Sequence, residues 1–202
     1  MEETNKQTLD AYESGVQQYI QHTPNSRGAV VEHWINVSLE GLHKEAKILE
    51  IGSAFGRDAS YIESKGFHVD KTDATSSFVD ILKEKDPSSR LLNIVTDEID
   101  DTYDLVIANA VLLHMNDDET KLVINKVHRA LIVGGTFAFT LKQGMGEDWQ
   151  QNKGMSPRYF NYWQKEEIIK LLAENGFIDV NLWIDETESP IVTWIMIVAT
   201  KN

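Results

Sequence analysis

Apolar residues follow two different spacings along this chain. In some segments they recur every three or four positions, as on one face of a helix, and in others they form short β-rich runs. The helical spacing predicts helices at residues 4–21, 26–42, 57–65, 76–85, 117–131 and 164–175. The short runs predict strands at residues 47–51, 66–73, 91–95, 103–109, 136–141, 178–185 and 192–200.

The order of these segments predicts the fold class. Between residues 47 and 175 strands and helices alternate, which is typical of a doubly wound α/β sheet with helices on both faces. The last two strands are separated only by a turn at 187–190, so we expect them to form a hairpin. We therefore predict a Rossmann-like, seven-stranded sheet with six parallel strands and the last strand antiparallel. Ligands bind such sheets outside the carboxyl ends of the strands.

Length and composition favour one globular domain. The chain has 202 residues, of which 42% are apolar and 25% are charged, as is ordinary for a folded protein. We predict a single domain over residues 1–202. Within it, residues 1–45 form a helical cover, and residues 142–163 form a loop rich in glycine and aromatic residues.

Charge and cysteine content exclude several function classes. The 19 basic and 32 acidic residues give a net charge of −13, which opposes non-specific binding to nucleic acids and to anionic membranes. Because the chain has no cysteine, disulfides, thiolate metal sites and cysteine nucleophiles are excluded, and we predict no metal site. The first residues lack the apolar core of a signal peptide, and the apolar stretch 105–115 is too short to span a bilayer. We therefore expect a cytoplasmic protein.

The first candidate site follows the strand at 47–51. Gly52 allows a sharp turn and the close approach of a ligand, and the helix that begins after Gly56 offers free N–H groups to an anionic group. The other interpretation is a tight strand-to-helix connection with no ligand. A dinucleotide site usually has a G-x-G-x-x-G pattern, but Ala54 and Arg57 interrupt it here. A nucleoside without a pyrophosphate therefore fits this segment better.

Further polar groups follow the later strands. Asp73 can accept hydrogen bonds from both ribose hydroxyls of a nucleoside, or it can cap the helix at 76–85. Asp97 can accept a hydrogen bond from an adenine amino group, or lie in a solvated loop. Asn109 can hold a polar ligand group, and His114 can face a substrate or serve as a structural histidine. Because the tips of parallel strands share one edge of the sheet, these groups predict a single site.

Two segments carry a resemblance to a known family. The run ILEIGSAFGRD at 48–58 resembles the glycine-rich first motif of the class I S-adenosylmethionine-dependent methyltransferases, and residues 66–74 resemble the ribose-binding strand of that family. Within this family the chain is similar to the small-molecule type with no large insertions. Ala54 departs from the motif, which usually has a glycine at this position.

The resemblance continues through the second half of the chain. Residues 103–114 resemble the fourth motif of the family, residues 130–135 the turn before its fifth strand, and residues 162–177 its last helix. Val133 replaces a usual proline and Asn175 a usual small residue.

The resemblance implies a cofactor and the residues that bind it. The cofactor is S-adenosyl-L-methionine, and the product formed from it is S-adenosyl-L-homocysteine. The residues implied to bind the cofactor are Tyr19, Glu50, Gly52, Ser53, Ala54, Gly56, Arg57, Asp73, Ala74, Asp97, Glu98 and Asn109.

The resemblance also implies transfer of a methyl group to a small-molecule acceptor. His114 is the candidate catalytic base, which is needed only if the accepting atom carries a proton; otherwise it orients a group or caps the structure. Loop 142–163 is expected on the acceptor side of the site, or else it is a surface loop fixed by its aromatic residues. Its candidate substrate-binding residues are Trp149, Arg158, Tyr159 and Tyr162. Arg158 and Lys142 would suit an anionic group.

Two other functions stay open from the sequence. The first is a protein that binds S-adenosylmethionine as a sensor without turnover. The second is an NAD-dependent oxidoreductase, which the missing third glycine disfavours.

Overall fold

The computed structural model of the chain describes residues 3–185 and 193–202. Its helices are α1 (Glu3–Ser14), α2 (Val16–Gln21), α3 (Ala29–Ser38), α4 (Arg57–Ser64), α5 (Ser76–Lys83), α6 (Asp117–Ala130) and α7 (Lys165–Glu174). Its strands are β1 (Lys47–Ile51), β2 (His68–Asp73), β3 (Arg90–Leu91), β4 (Tyr103–Ala108), β5 (Leu131–Gln143), β6 (Glu147–Gln150), β7 (Arg158–Trp163), β8 (Phe177–Asp185) and β9 (Trp194–Lys201). The turn predicted at 187–190 and the first residue of the strand predicted at 192–200 lie outside the described residues.

The sheet confirms the predicted fold class. Strands β3, β2, β1, β4 and β5 lie side by side and run parallel. Strand β9 pairs antiparallel with β5, and β8 pairs antiparallel with β9, so β8 runs in the same direction as β5. The seven predicted strands are therefore present, six of them parallel and the last antiparallel.

Two further strands form a hairpin that the sequence analysis did not predict. Strands β6 and β7 pair antiparallel, and the end of β7 also pairs with the end of β5. We call residues 147–163 the cover hairpin. The predicted loop 142–163 is thus largely a β-structure, because the run from Arg158 to Trp163 is rich in aromatic residues, which favour strands.

Several predicted boundaries differ from the observed ones. The helix predicted at 4–21 is broken at Gly15, where a Cβ atom would lie 2.9 Å from Met155. The helix predicted at 26–42 begins only after Gly28, which has a φ of 77°, and ends at Ser38. The strand predicted at 91–95 is only two residues long, because the chain leaves the sheet after Leu91 while its apolar residues still pack into the core.

Helices cover both faces of the sheet, as predicted. On one face, Val106, Phe137 and Ile197 pack with α6 and α7. On the other face, Trp34 of α3 is fully buried, and its Nε1 donates a hydrogen bond to the carbonyl of Ile197 at 3.0 Å. No helix within the described residues is long and apolar enough to cross a membrane.

Candidate functional site

A cavity opens at the carboxyl ends of β1, β2 and β4. Helices α1 and α2 form its other wall, so the predicted N-terminal cover contributes to it. Its lining residues are Asn5, Thr8, Leu9, Tyr12, Tyr19, Ile51, Gly52, Ala54, Asp73, Ala74, Thr75, Phe78, Leu92, Asn93, Ile94, Asn109, Ala110, Val111, His114 and Met115. Six of the residues expected to bind the cofactor are therefore brought together: Tyr19, Gly52, Ala54, Asp73, Ala74 and Asn109.

The turn after β1 has a backbone that favours glycine. Gly52, Ala54 and Gly56 have φ values of 74°, 48° and 81°, all in the left-handed region. A Cβ atom on Gly52 would lie only 2.4 Å from a methyl group of Val111, which also lines the cavity. The turn therefore packs directly against the wall of the cavity at a point where no side chain fits.

Asp73 lies at the tip of β2 and lines the cavity, whereas the N-cap of α5 is Thr75 and not Asp73. Its Oδ1 accepts a hydrogen bond from the backbone N–H of Thr75 at 2.8 Å, and its Oδ2 accepts one from Ala54 at 2.8 Å. Burial raises the pKa of the carboxyl group, and these backbone donors oppose that rise. Each carboxylate oxygen has a second lone pair, so the group can still accept bonds from a ligand in the cavity.

Asn109 connects the tips of β4 and β5 with helix α4. Its Nδ2 donates to Oδ2 of Asp58 at 2.7 Å, and its Oδ1 accepts from the hydroxyl of Thr140 at 2.9 Å. The same hydroxyl accepts a hydrogen bond from the N–H of Ala110 at 2.8 Å. The network fixes the Asn109 amide at the edge of the cavity.

The other residues predicted near this turn lie behind the cavity or beside it. Glu50 is buried, and its pKa is raised to about 8 by burial and then by the nearby Asp58 carboxylate. Ser53 is buried and hydrogen-bonds the backbone of Thr72, while the N–H of Gly56 closes the turn onto the carbonyl of Ser53. Arg57 forms an ion pair with Asp58 at 3.3 Å and lies outside the lining of this cavity.

Asp97 and Glu98 are not among the lining residues. The carboxylate of Asp97 accepts hydrogen bonds from Thr96 and from the backbone of Asn93, and Glu98 forms an exposed ion pair with Arg129. Asn93 and Ile94 line the cavity instead. The reason is the early end of β3 at Leu91, which places the strand tip several residues earlier in the sequence than predicted.

His114 belongs to a chain of hydrogen bonds that starts on the cover hairpin. Arg158 Nη1 donates to the hydroxyl of Tyr12 at 2.9 Å, and this hydroxyl lies 2.8 Å from Nε2 of His114. His114 Nδ1 lies 2.6 Å from the carbonyl oxygen of Tyr159, so Nδ1 carries the proton and Nε2 accepts one from Tyr12. Burial lowers the pKa of His114 to about 3, which keeps the ring neutral.

Tyr12 was not predicted as a site residue. It lies on α1, 102 residues before His114, and the two rings meet edge to face with centroids 5.5 Å apart. No local pattern in the sequence predicts a contact between two residues so far apart in the chain.

The predicted acceptor-side residues lie in the cover hairpin but do not line the cavity. Arg158 is 3% exposed and its guanidinium also bonds Asn152. Tyr159 is buried and its hydroxyl donates to Glu147, while Tyr162 hydrogen-bonds Gln150. Trp149 is 40% exposed and packs its ring edge-on against Tyr159 at 5.8 Å.

Lys142 lies beneath the hairpin. Its Nζ is 3.7 Å from the centre of the Phe160 ring, and burial, followed by the Arg158 charge, lowers its pKa to about 8. Neither Lys142 nor Arg158 lies within 4.0 Å of a carboxylate of the described residues. Within the described residues, no group of three or more His, Asp or Glu side chains converges as a metal site.

The sequence is similar to those of known methyltransferases. Residues 49–137 match the family model described as a methyltransferase domain. The phosphoethanolamine N-methyltransferase of Plasmodium falciparum (isolate 3D7) is 22% identical, with 80% of each chain covered.

Solved structures with the same fold extend the comparison to nearly the whole chain. Magnesium protoporphyrin IX methyltransferase from Synechocystis PCC 6803, solved with S-adenosylhomocysteine bound, has a TM-score of 0.73 at 13% identity, and the match covers 98% of this chain and 99% of that one. Phosphoethanolamine N-methyltransferase 2 of Haemonchus contortus, in complex with phosphomonomethylethanolamine and S-adenosylhomocysteine, has a TM-score of 0.72 at 16% identity. That match covers 94% of this chain, which spans only 57% of the length of the Haemonchus protein.

Proposed function

We propose that the chain is an S-adenosylmethionine-dependent methyltransferase and that it transfers a methyl group from S-adenosylmethionine to a small-molecule acceptor. The observation that carries the proposal is the convergence of Gly52, Ala54, Asp73 and Asn109 on one cavity at the strand tips. This combination offers a closely approachable backbone, a buried carboxylate and a fixed amide, which suit the parts of an amino-acid nucleoside.

The residues present fit such a cofactor. Asp73 would accept hydrogen bonds from the ribose hydroxyls, next to the turn at Gly52 and Ala54. Asn93 and Ile94 take the place that the sequence suggested for Asp97 and Glu98 beside the adenine. The turn would be held in shape by residues outside the cavity lining, namely Glu50, Ser53, Gly56 and Arg57. The methionine portion would lie between Tyr19 and Asn109.

The cofactor would supply a methyl group on a positively charged sulfur, which is an electrophile before the protein acts on it. The task of the chain is therefore mainly to orient the acceptor and exclude water. With a pKa of about 3, His114 is a weak proton acceptor. We assign it the role of positioning the Tyr12 hydroxyl in the cavity, with Arg158 bonded to the same hydroxyl from the other side.

The cover hairpin remains the proposed acceptor-side element. Arg158 bonds to Tyr12 and the carbonyl of Tyr159 bonds to His114, while Trp149 packs against the Tyr159 ring. Tyr162 accepts a hydrogen bond from Gln150. The relatives act on chemically different small molecules by their names, phosphoethanolamine and magnesium protoporphyrin IX, so they support the class of acceptor rather than its identity. A cytoplasmic location without a nucleic-acid partner is part of the proposal; the net charge of −13 supports the second point.

Calorimetric titration with S-adenosylhomocysteine and, separately, with NAD tests the cofactor. We expect binding of the first ligand and not of the second. An NAD isotherm in place of the S-adenosylhomocysteine one would favour the oxidoreductase.

Turnover requires its own measurement. Methyl-labelled S-adenosylmethionine is incubated with the protein and a protein-free small-molecule extract, and label in new compounds is counted against heat-inactivated protein. Label transfer supports an enzyme. Tight cofactor binding with no transfer from extracts of several sources would favour the sensor.

A further inference from the structure

A second cavity adjoins the first one. Its volume is about 460 Å³, which is within the range of small-molecule sites. It shares Tyr19, Asn109 and Ala110 with the cavity at the strand tips. A molecule in the second cavity would therefore meet the cofactor cavity at Asn109 and Ala110. None of the four residues that the sequence suggested for the acceptor lines it.

Lys153, in the connection between the two strands of the cover hairpin, brings a cation to this second cavity. Its Nζ donates a hydrogen bond to the hydroxyl of Thr23 at 2.7 Å and lies 4.2 Å from the centre of the Tyr19 ring. No carboxylate of the described residues is within 4.0 Å of this ammonium group, whose observed partners are a neutral hydroxyl and an aromatic ring. Burial, followed by the charges of Arg158 and Arg57, lowers its pKa to about 8.

The backbone at Lys153 is strained as well. Its φ is 55°, in the left-handed region where a lysine is costly and a glycine is not. Such outliers cluster at binding sites, where the strain holds a side chain in a required direction. The next residue, Gly154, also has a positive φ. Of these two left-handed positions, the one at 153 therefore carries a side chain although glycine would be less costly there.

Three cations line the second cavity, and within the described residues Lys153 differs from Arg27 and Arg57 in having no carboxylate within 4.0 Å. Arg57 is paired with Asp58, and Arg27 bonds the carbonyl of Arg57 and approaches Glu32 at 4.0 Å. Asp185 also lines the cavity and brings a carboxylate, but it forms no ion pair with Lys153. A ligand anion beside Lys153 would supply the missing counter-charge.

We propose that the second cavity binds the methyl acceptor, that the acceptor carries an anionic group, a phosphate monoester or a carboxylate, and that Lys153 holds this group. The accepting atom then lies at the other end of the molecule, near Asn109 and Ala110, where the two cavities meet. The inference rests on the proposed methyl transfer and adds to it the class of acceptor and its anchoring residue.

The test uses the full chain saturated with S-adenosylhomocysteine and two probes, inorganic phosphate and acetate, titrated calorimetrically at constant ionic strength. Constant ionic strength keeps screening of surface charges equal throughout. We expect one of the two probes to bind at a single site, and the preferred probe tells a phosphate group from a carboxylate.

Variants identify the anchoring residue. Lys153→Met should weaken binding of the preferred probe about tenfold or more, because a charge-assisted hydrogen bond is lost, and Lys153→Arg should keep it within about threefold. Lys165→Met removes an exposed lysine that is paired with Glu166 and should change nothing.

Two results would overturn the inference: binding of neither probe, or binding that is equal in Lys153→Met and the unchanged chain. Both can be told from a failure of the proposed function, because that failure would appear first as the absence of S-adenosylhomocysteine binding to the unchanged chain. Lys153→Met should itself bind S-adenosylhomocysteine within about twofold of the unchanged chain. A larger loss would place Lys153 at the cofactor and also count against the inference.

Discussion

Two regions build the walls of the site by different means. The strand-tip region, residues 47–74, is held by backbone hydrogen bonds between adjacent strands, such as Ser53 N–H to the carbonyl of Thr72 at 2.8 Å. The cover hairpin is held by side chains that reach across the molecule, such as Thr8 Oγ1, which accepts the N–H of Tyr159 from 151 residues away. The first region therefore depends on backbone shape, and the second on particular distant side chains.

The two regions should therefore tolerate substitutions differently. In the strand-tip region a single Cβ in the wrong place disturbs the turn itself, so we expect stability and cofactor binding to fail together. In the cover hairpin, β6 and β7 are paired through the backbone, so we expect this pairing to survive the loss of one side chain. There we expect effects on turnover with little effect on cofactor affinity.

The largest effect should come from Gly52→Ala. The added Cβ would lie 2.4 Å from a Val111 methyl group, and alanine would have to keep a φ of 74°. Overpacking and the left-handed backbone together should cost about 2–5 kcal/mol of unfolding free energy, measured by urea denaturation. Gly134→Ala is the matched control, because its φ is 77° but nothing lies within 4 Å of its Cβ position. Equal losses in both variants would show that packing against Val111 contributes nothing.

Asp73→Ala should produce the next largest effect. Removal of the carboxylate deletes up to two charge-assisted hydrogen bonds to a ligand, so affinity for S-adenosylhomocysteine should fall by about 2–4 kcal/mol in calorimetric titration. Asp73→Asn should lose less, because its carbonyl oxygen still accepts. Asp97→Ala is the control, since Asp97 lies outside the cavity. If Asp97→Ala lost more affinity than Asp73→Ala, the prediction that Asp97 binds the adenine amino group would be supported after all.

The buried acid behind the turn predicts a pH dependence. The pKa of Glu50 is raised from 4.5 to about 8, so the folded chain keeps a proton that the unfolded chain has released above pH 5. Stability from this group is complete below pH 4.5 and is lost as pH rises toward 8, which amounts to roughly 2 kcal/mol between pH 6 and pH 8.

Glu50→Gln should remove this slope, as measured by urea denaturation at pH 6, 7 and 8. Glu84→Gln changes an exposed carboxylate and should leave the slope as it is. An unchanged slope in Glu50→Gln would mean that the acid is ionised in the folded chain, with a counter-charge nearby.

The cover hairpin should respond differently. Arg158→Met removes the donor to Tyr12 and should lower methyl transfer about tenfold, because the hydroxyl loses its fixed orientation. Affinity for S-adenosylhomocysteine should stay within about threefold. Arg129→Met, which removes an exposed partner of Glu98, is the control. A large loss of cofactor affinity in Arg158→Met, with turnover per bound cofactor unchanged, would make the hairpin part of the cofactor site.

The same difference between the two regions decides which site residues could be predicted from the sequence. The strand-tip groups Gly52, Asp73 and Asn109 could be placed in advance, because strand ends and glycine turns fix positions locally. Tyr12 and Lys153 could not be placed, because their roles arise from contacts between α1 or α2 and the hairpin. Asp97 and Glu98 were displaced from the expected position because β3 ends at Leu91, and the apolar run that follows belongs to the core and cavity wall rather than to a strand.

The smallest effect should come from Ala54→Gly, which tests whether a side chain of the strand-tip region matters as well as its backbone. Ala54 holds a φ of 48°, and its N–H donates to Asp73, so the alanine is strained at a position where only its backbone is used. Glycine would relieve that strain, but it also makes the unfolded chain more flexible, so we expect a gain below about 1 kcal/mol in urea denaturation.

Cofactor affinity should be unchanged within about threefold, because the hydrogen bond to Asp73 is made by the backbone and survives the change. Ala59→Gly in the middle of α4 is the control: it lies in ordinary helical backbone and is fully buried, so glycine should instead destabilise by about 2 kcal/mol, through helix propensity and the lost methyl group together. A clear loss of S-adenosylhomocysteine affinity in Ala54→Gly would show that the methyl group of Ala54 contacts the ligand. The strand-tip region would then act through side chains as well, as the cover hairpin does.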